Sequence, residues 1–372
     1  MINDIKMKAK IIIGANLGDE GKGTVVANYV KQSKDRVLNV LTNGGAQRAH
    51  SILTKDGSFT FQHLGSGTYH GADNYFSEYF ILNPMQFVQE YLELADRGVL
   101  ATNNTKIYRH PFCRWSTPFD MMANQIIEEQ RGENKHGSCG MGIWETVLRY
   151  KSTITVLFST FVTSEHEQQI SYLQSVKRYF DKRIGVIPDN WRNTWNSATL
   201  LEHFINDCKT MYNTTTEILT PTGYNDVIFE NGQGLMLNDN GIDEAGKTPS
   251  KTDSTYALRV ATAMGIKNDD ISLHYVTRPY LTRHGRGKLT GETKREFLSN
   301  SVQECRTNHY NQFQEHFRYA SLNIKALSQR IDEDNLLLLP SVIELTHCDE
   351  MDRLSEFQKE FNTIKTYDTP LV

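Results

Sequence analysis

The most constraining feature of this chain is a glycine-rich loop between an apolar run and a segment of helical pattern. Residues 8–30 read KAKIIIGANLGDEGKGTVVANYV and contain four glycines. The apolar run predicts a buried strand at Lys8–Gly14, and the segment after the loop predicts a helix at Thr24–Gln32. Backbone N–H groups at a helix N-terminus bind phosphate, and glycines let the backbone approach it closely. The spacing differs from the common G-x-x-x-x-G-K-S/T pattern, because Asn16 stands where a glycine is needed and Gly23 follows the lysine.

The charged side chains of this loop indicate more than phosphate binding. Lys22 would place a point charge on phosphoryl groups. Asp19 and Glu20 would be repelled by phosphate unless they hold Mg²⁺ or take part in proton transfer. The loop is therefore predicted to combine phosphate binding with a metal ion or a proton transfer. The alternative is a glycine-rich turn whose acidic side chains are solvated.

Strands that alternate with helices predict the fold class. A helix is predicted to begin at Asn83–Pro84, because proline is favoured in the first turn of a helix. The other predicted strands are Val37–Leu41, Thr153–Val162, Asp226–Glu230, Tyr275–Leu281 and Leu336–Leu339. This order predicts an α/β fold with a mainly parallel central sheet flanked by helices. Residues 1–372 are expected to form a single domain with a mostly helical, polar insert around 163–222. A short helix and then an irregular end are expected after Asp352.

The composition excludes several classes of protein. The chain has 372 residues, of which 38 % are hydrophobic and 23 % are charged, as in ordinary globular proteins. A net charge of −4 argues against non-specific nucleic-acid binding. No apolar run is long enough for a membrane span, and MINDIKMKAK lacks a signal-peptide core. The five cysteines have no paired spacing, so we expect a cytoplasmic protein without a disulfide framework or a zinc site.

Seven segments carry a resemblance to a known family. GDEGKG (18–23) resembles the signature loop of adenylosuccinate synthetases. The later segments follow in the order that the family has. They are NGGAQRAHS (43–51), GSCGMG (137–142), FENGQG (229–234), TRHGRG (282–287), HFRYASLN (316–323) and LTHCD (345–349). The resemblance implies a P-loop-like adenylosuccinate synthetase fold, a homodimer, and a ligase that joins L-aspartate to C6 of inosine monophosphate with GTP hydrolysis and Mg²⁺.

The resemblance also implies roles for residues of the loop and its surroundings. Asp19 would take the N1 proton of the 6-oxopurine, and His50 would act as general acid at O6. Lys22 and the loop amides would stabilise the transferred phosphoryl group. Mg²⁺ would be held at Asp19 and Ala49, and Asp349 would read the guanine of the triphosphate. The remaining triphosphate contacts would come from Gly18, Glu20, Gly21, Gly23 and Thr24.

Further residues are implied to bind the other two substrates. The monophosphate would contact Asp19 and a set of polar residues: Gln47, Ser138, Gln233, Ser250 and Arg149, the last lent across the dimer interface. Arg318 would bind L-aspartate, because a guanidinium matches a carboxylate in bidentate geometry. The alternatives are a turn glutamine for Gln233, a bare turn for Ser138 and a surface arginine for Arg318.

Departures from the family pattern leave the substrates open. The histidine loop has Gln47, Arg48 and Ala49 where the family has Asn, Ala and Gly, Trp144–Glu145 replaces Gly-Pro, and His347 replaces a lysine. The sequence therefore predicts IMP or dIMP as acceptor and GTP or ATP as donor. One alternative is a phage-type enzyme that acts on dGMP to give 2-amino-deoxyadenylosuccinate. A second is a non-catalytic nucleotide-binding regulator.

Overall fold

The computed structural model describes residues 7–54, 57–239, 247–302 and 316–369. The strands of these residues are β1 Lys8–Gly14, β2 Val37–Leu41, β3 His50–Thr54, β4 Gly57–Phe61, β5 Asp73–Phe76, β6 Ile81–Leu82, β7 Ile107–Arg109, β8 Arg114–Trp115, β9 Thr216–Glu217, β10 Asp226–Gly234, β11 Ile271–Thr277, β12 Tyr280–Arg283, β13 Glu292–Thr293, β14 Arg318–Ser321, β15 Ser341–Leu345 and β16 Ile364–Thr366. The helices are α1 Lys22–Gln32, α2 Pro84–Asp96, α3 Val99–Asn103, α4 Pro118–Arg131, α5 Ile143–Lys151, α6 Phe158–Thr163, α7 His166–Ile184, α8 Arg192–Trp195, α9 Ala198–Thr214, α10 Thr255–Ala263, α11 Ile324–Asp334 and α12 Leu354–Glu360.

A parallel sheet forms the centre of the molecule. Within the described ranges it has nine strands in the order β16-β15-β11-β1-β10-β2-β5-β7-β9. Every neighbouring pair is parallel. β1 lies between β10 and β11, with Ile11 opposite both Phe229 and Leu273. Strands buried on both faces read as continuous apolar runs, which is why the run in β1 was a reliable signal. The predicted α/β fold with a mainly parallel central sheet is confirmed.

Two of the predicted strands are wrong. Thr153–Val162 has no strand, and its second half begins α6, where Phe158 and Phe161 pack on one side at helical spacing. Leu336–Leu339 forms a turn in which Leu338 is 89 % exposed. The strand follows this turn as β15. Apolar residues alone do not make a strand, because the run must also pair with a neighbour.

Two other predictions need smaller corrections. The predicted strand Tyr275–Leu281 is two strands, β11 and β12, separated by Arg278–Pro279. Proline has no N–H for the ladder and ends the first strand. The tail after Asp352 contains the short helix α12, but its end is not irregular throughout. Residues 364–366 form β16, which pairs in parallel with β15 from Ile343 to Leu345.

A second core lies among the helices that follow β7. Helices α7, α8 and α9 lie in the region predicted to be helical and polar, and each presents an apolar side. Their buried side chains meet Trp115 of β8 and Phe119 of α4; they include Phe180, Trp195 and Phe204. Trp115 itself is fully buried between Phe161 and Phe204. No helix in the described part of the chain has both the length and the apolar composition needed to cross a bilayer.

The carboxyl ends of the central strands converge on one edge. β1 ends at Gly14, β10 at Gly234 and β11 at Thr277, and the glycine-rich loop follows β1 directly. In open parallel sheets, ligands bind outside the carboxyl ends of the strands, where connections diverge to either side. The fold therefore places the loop at the centre of the expected ligand-binding edge.

Candidate functional site

A cavity of about 880 Å³ opens at the carboxyl edge of the sheet. Its size is that of a site for one or two small molecules. The wall brings together segments that are far apart in sequence. They include residues 17–24, 46–53, 136–139, 141–145, 247–249, 346–347 and 367–369, together with Gln233 and Arg278. The histidine loop and the glycine-rich loop therefore share one cavity.

Glu20 shapes the glycine-rich loop from within. Its Oε1 accepts hydrogen bonds from the backbone N–H groups of Asn16 and Gly18, both at 2.9 Å. Its Oε2 lies 3.2 Å from Nζ of Lys22, and both side chains are almost completely buried. A buried carboxylate that is bonded in this way fixes the loop. The alternative of solvated acids therefore does not hold for Glu20.

Two glycines permit close approaches around the loop. A Cβ on Gly14 would lie 2.5 Å from Oε2 of Glu20 and 2.8 Å from Nζ of Lys22, so only glycine fits there. A Cβ on Gly23 would lie 2.8 Å from the carbonyl oxygen of Ser51. The first turn of α1 therefore packs directly against β3, which begins with His50.

Asp19 lines the cavity in a left-handed backbone conformation with φ 59°. This conformation is uncommon for residues other than glycine, although aspartate tolerates it better than most. Nε of Arg278 donates a 2.8 Å hydrogen bond to the carbonyl oxygen of Asp19 and so holds this turn. Sequence reasoning missed Arg278 because it chose the Thr-Arg pair at 282–283. The usable signal was the earlier Thr-Arg pair, which directly follows β11.

His50 and Glu230 form a buried, hydrogen-bonded dyad. Nδ1 of His50 lies 2.5 Å from Oε1 of Glu230, which also accepts a hydrogen bond from Oγ of Ser66 at 2.7 Å. Nη2 of Arg48 lies 3.3 Å from the same oxygen. Burial opposes ionisation, but Arg48, His50 and Ser66 together lower the pKa of Glu230 to about 2. Glu230 is therefore ionised, and sequence reasoning missed it although it lies in the FENGQG segment.

The dyad determines how His50 is presented. An ionised carboxylate can only accept a hydrogen bond, so Nδ1 carries a proton and Nε2 is left for the cavity that His50 lines. Burial and the charge of Arg48 lower the pKa of His50 to about 4, against the attraction of Glu230. Nε and Nη1 of Arg48 are themselves buried without a hydrogen-bond partner among the described residues. The site thus holds a neutral, oriented imidazole.

Two glutamines and a threonine form an amide cluster on the cavity wall. Nε2 of Gln47 lies 3.2 Å from Oε1 of Gln233 and 3.0 Å from Oγ1 of Thr248. Gln233 has φ 58° near the end of β10, so its strained backbone is held by its surroundings. Ser250 lies behind this cluster, where its Oγ accepts the N–H of Gly44 at 2.9 Å. The structure brings the two predicted glutamines together and adds Thr248, which sequence reasoning missed.

Ser138 lines the cavity, but its hydrogen-bonding groups are used internally. Oε2 of Glu128 accepts the N–H groups of Gly137 at 2.9 Å and of Ser138 at 3.3 Å. Oγ of Ser138 donates to Oδ1 of Asn124 at 2.8 Å. A carboxylate of α4 therefore occupies the amide pair that was expected to bind the monophosphate.

The structure does not bring the two predicted arginines into the cavity. Arg149 is fully buried, with Nε and Nη2 at 2.9 and 3.1 Å from the two carboxylate oxygens of Asp120. Arg318 forms a bidentate pair with Glu292, and its Nη1 donates to the carbonyl oxygens of Gly285 and Gly287. Neither side chain lines the cavity. In this structure Arg149 anchors the helical core and Arg318 clamps the loop at 285–287, so their binding roles stay predictions.

Asp349 is also turned away from the cavity. Its Oδ1 accepts the backbone N–H of Thr369 at 2.6 Å and the Oγ–H of Thr369 at 2.8 Å. Asp349 does not line the cavity, whereas residues 367–369 do. The Asp349 carboxylate, which was predicted to bind guanine, is thus hydrogen-bonded to Thr369 in the C-terminal tail.

Asp19 and Ala49 offer oxygen ligands that suit Mg²⁺. Both residues line the cavity, and Ala49 is exposed in it. In the described part of the chain no group of three or more His, Cys, Asp and Glu side chains forms a metal cluster. This fits Mg²⁺, which commonly uses one or two protein oxygens and takes its other ligands from phosphates and water.

Comparisons with known proteins identify the relatives of this chain. A sequence model of the adenylosuccinate synthetase family matches residues 11–327. The adenylosuccinate synthetase of Lactobacillus acidophilus is 26 % identical over 295 residues, which cover 77 % of this chain and 65 % of that protein. That of Pediococcus pentosaceus is 29 % identical over 300 residues, with coverage of 77 % and 65 %. This chain therefore spans about 65 % of the length of these relatives.

Two solved structures share the fold. The fully ligated adenylosuccinate synthetase of Plasmodium falciparum superposes with a TM-score of 0.69 at 18 % identity, over 93 % of this chain and 78 % of that one. The succinoaminodeoxyadenylate synthetase of cyanophage S-2L, bound to dGMP and to dATP as energy donor, superposes with a TM-score of 0.62 at 13 % identity, over 98 % and 92 %. The sequence match across most of the chain, together with this shared fold, shows that the chain belongs to the adenylosuccinate synthetase family.

Proposed function

We propose that this protein is a ligase that condenses L-aspartate with C6 of a 6-oxopurine nucleoside monophosphate, IMP or dIMP, and hydrolyses a nucleoside triphosphate. One observation carries the proposal. Asp19 of the phosphate-binding loop and the imidazole of His50 line a single cavity, and the buried Glu230 holds Nδ1 of His50. A protein that only binds nucleotides does not need an oriented imidazole beside the loop, so this arrangement favours an enzyme over a regulator.

The chemistry requires O6 of the purine to become a leaving group. The carboxylate of Asp19 takes the N1 proton, and O6 attacks the γ-phosphorus as the bond to the β-phosphate oxygen breaks. The amine of L-aspartate then attacks C6, and O6 departs as inorganic phosphate. Each step needs positioned charges more than covalent chemistry by the protein.

His50 acts at O6. Its imidazole is neutral in this structure, because burial and Arg48 lower its pKa to about 4. Phosphoryl groups bound next to it would raise that pKa, since a nearby negative charge favours the protonated form. Nε2 then donates a hydrogen bond to O6, and the ionised Glu230 stabilises the positive charge on the ring.

The loop holds the triphosphate. Lys22, Thr24 and the amides around Gly18, Gly21 and Gly23 surround the place where its phosphates would lie. Asp19 and Ala49 would hold Mg²⁺. When bound, Mg²⁺ neutralises charge on the transferred phosphoryl group.

The binding sites for the monophosphate and for L-aspartate are assigned to other residues in and around the cavity. Gln47 and Gln233 contact the monophosphate, and Ser250 supports them from behind. Arg318 contributes to the L-aspartate site through the loop at 285–287. A homodimer in the cytoplasm stays a prediction from the family resemblance.

A second acceptor, dGMP, is favoured by one observation. The cyanophage protein that shares this fold over 98 % of the chain was solved with dGMP. Retention of Asp19 favours a purine without the 2-amino group, because that group needs room beside the base-contacting carboxylate. IMP or dIMP therefore stays the leading acceptor, and dGMP is the alternative.

The test is phosphate release with IMP, dIMP, GMP or dGMP, together with L-aspartate, Mg²⁺ and either ATP or GTP. We expect release to depend on both L-aspartate and IMP or dIMP, and to be lost in Asp19→Asn and His50→Ala. Asp189→Asn, which changes an exposed carboxylate outside the cavity, is the matched control. Nucleotide binding without release under any combination would support a regulator, and release with dGMP alone would support the alternative acceptor.

A further inference from the structure

The two sides of the glycine-rich loop offer two different base sites. His50 and Gln233 lie on the side of β2 and β10. On the side of β11 and β15, Oγ1 of Thr346 donates a 2.7 Å hydrogen bond to the carbonyl oxygen of Glu20. A Cβ on Gly21 would lie only 3.2 Å from Cγ2 of Thr346. A triphosphate held by the loop can therefore extend its base along the residues that follow β15, which line the cavity together with the tail.

The carboxylates on this side are already engaged. Guanine presents N1–H and a 2-amino group, which a carboxylate reads with two acceptor oxygens. Asp349 faces the tail, where its Oδ1 accepts two hydrogen bonds from Thr369. Glu350 lines the cavity, but Oε1 lies 3.0 Å from Oγ1 of Thr369 and Oε2 accepts the hydroxyl hydrogen of Tyr280. Neither carboxylate offers guanine a free pair of acceptor oxygens.

His347 presents a hydrogen-bond acceptor instead. The only hydroxyl hydrogen of Thr346 is directed to the carbonyl oxygen of Glu20, so Oγ1 of Thr346 accepts from Nδ1–H of His347 at 2.9 Å. Nε2 of His347 then carries a lone pair, and no described residue hydrogen-bonds it. Burial and the charge of Arg278 hold the pKa of His347 well below its usual range, so the ring is neutral. His347 is held with φ 57° and lines the cavity.

We propose that the triphosphate site selects an adenine nucleotide over a guanine nucleotide, with Nε2 of His347 accepting a hydrogen bond from the 6-amino group. Guanine has an oxygen acceptor at position 6, which would face the lone pair of Nε2 without a proton between them. Asp349 is a positioning residue that holds Thr369 and the tail at the rim of the cavity. The inference rests on the proposed function only for the choice of the loop as the triphosphate site.

The test compares binding with turnover in the full-length protein. Affinities for ATPγS and GTPγS with Mg²⁺ are measured by titration calorimetry, and phosphate release is measured with ATP and with GTP. We expect ATPγS to bind at least about tenfold more tightly, the scale of one lost hydrogen bond. Equal affinities, or tighter GTPγS binding, would overturn the proposal.

Single substitutions distinguish the role of His347 from that of Asp349. His347→Lys replaces an acceptor by a donor, so we expect the ATPγS to GTPγS affinity ratio to fall about tenfold or more, whereas His203→Lys on the exposed face of α9 leaves it unchanged. Asp349→Asn keeps an oxygen that can accept from Thr369, so we expect it to change the ATPγS and GTPγS affinities equally. A loss of GTPγS affinity without a matching loss of ATPγS affinity would show that this carboxylate binds guanine and would overturn the assignment.

The outcomes also separate this inference from the proposed function. Preferential ATPγS binding without phosphate release under any acceptor would support adenine selection and contradict the ligase. Phosphate release that depends on L-aspartate and a purine monophosphate, but uses GTP rather than ATP, would support the ligase and contradict adenine selection.

Discussion

Nδ1 of His50 and Oε1 of Glu230 lie 2.5 Å apart, although 180 residues separate them in sequence. His50 begins β3, while Glu230 lies within β10 of the central sheet. The contact makes the orientation of the imidazole depend on a carboxylate that is fixed by the sheet itself. The proton transfer proposed for His50 would therefore depend on the register of β10 in the central sheet.

Removal of the charge on Glu230 should slow turnover with little effect on substrate affinity. Glu230→Gln keeps the shape of the side chain but no longer stabilises a protonated His50, so we expect kcat to fall by about 10²-fold. Steady-state kinetics would show this as a change in kcat with nearly constant KM. Ser66→Ala is the matched control, because it removes a hydrogen bond to the same oxygen and keeps the charge. An unchanged kcat in Glu230→Gln would remove the dyad from the mechanism.

A methyl group at Gly14 should disrupt the glycine-rich loop. It would lie 2.5 Å from the carbonyl oxygen of Gln233 and the same distance from Oε2 of Glu20, so the strand and the loop would have to separate. Overpacking of this kind costs about 1–3 kcal/mol of stability. We expect Gly14→Ala to weaken triphosphate binding as well, measured by calorimetry.

Gly98→Ala provides the comparison for Gly14→Ala. Gly98 has a positive φ but nothing within 4 Å of an added Cβ, and it lies outside the cavity. The Gly98→Ala variant should lose some stability through backbone strain and keep full nucleotide affinity. Equal nucleotide affinity in both variants would show that the close packing at Gly14 does not shape the phosphate site.

Arg149 should matter for folding and leave substrate affinity unchanged. Its guanidinium is fully buried against Asp120, and it also donates to the carbonyl oxygen of Trp115 at 2.7 Å. Breaking a buried ion pair typically costs about 3–5 kcal/mol, because one charge is left without its partner. We expect Arg149→Met to lower the free energy of unfolding by about that amount in urea titrations. Arg178→Met on the exposed side of α7 should be neutral, and a raised KM for the monophosphate in folded Arg149→Met would restore its predicted role.

Local features of the sequence predicted the centre of the fold and the loop. The bounds of β1 and β2 agree with the prediction because a doubly buried strand is a continuous apolar run with turn residues at its ends. The loop at 18–23 was recognisable because its glycines and charges are adjacent in sequence. Asp19 and His50, which the family resemblance implies as catalytic residues, both line the cavity.

What local sequence could not show is which groups become partners after folding. Glu128 accepts the N–H groups of Gly137 and Ser138, and Asp349 accepts the N–H of Thr369; both contacts join segments that meet only after the chain has folded. The leucines at 336–338 look like a strand, yet they turn into solvent because Asn335 bonds both the N–H and the carbonyl oxygen of Leu339. Such side-chain partners decide whether a segment forms a strand or a turn and which polar groups stay available to a ligand. They leave no periodic signal in the sequence.

The last prediction concerns His63, which makes stability depend on pH. The ring is fully buried, and its Nε2 accepts the backbone N–H of Asn83 at 3.0 Å. Protonation would break that bond and place a charge near Arg48 among aromatic rings. Burial first, and then the charge of Arg48, lower the pKa of His63 to about 3. In an unfolded chain the pKa is about 6.5.

These two pKa values determine whether acid stabilises or destabilises the folded protein. Between about pH 6.5 and pH 3 the unfolded chain binds a proton at His63 and the folded chain does not, so acid favours unfolding. The contribution is complete above about pH 6.5 and is lost as the pH falls, which amounts to about 2 kcal/mol at about pH 5. Urea titrations at about pH 7.5 and pH 5 would measure the loss. His63→Gln keeps an acceptor for Asn83 but cannot titrate, so we expect a smaller loss than in the wild type. Other buried histidines such as His50 titrate in both proteins and cancel in the difference, and an identical loss would show that His63 is not the titrating group.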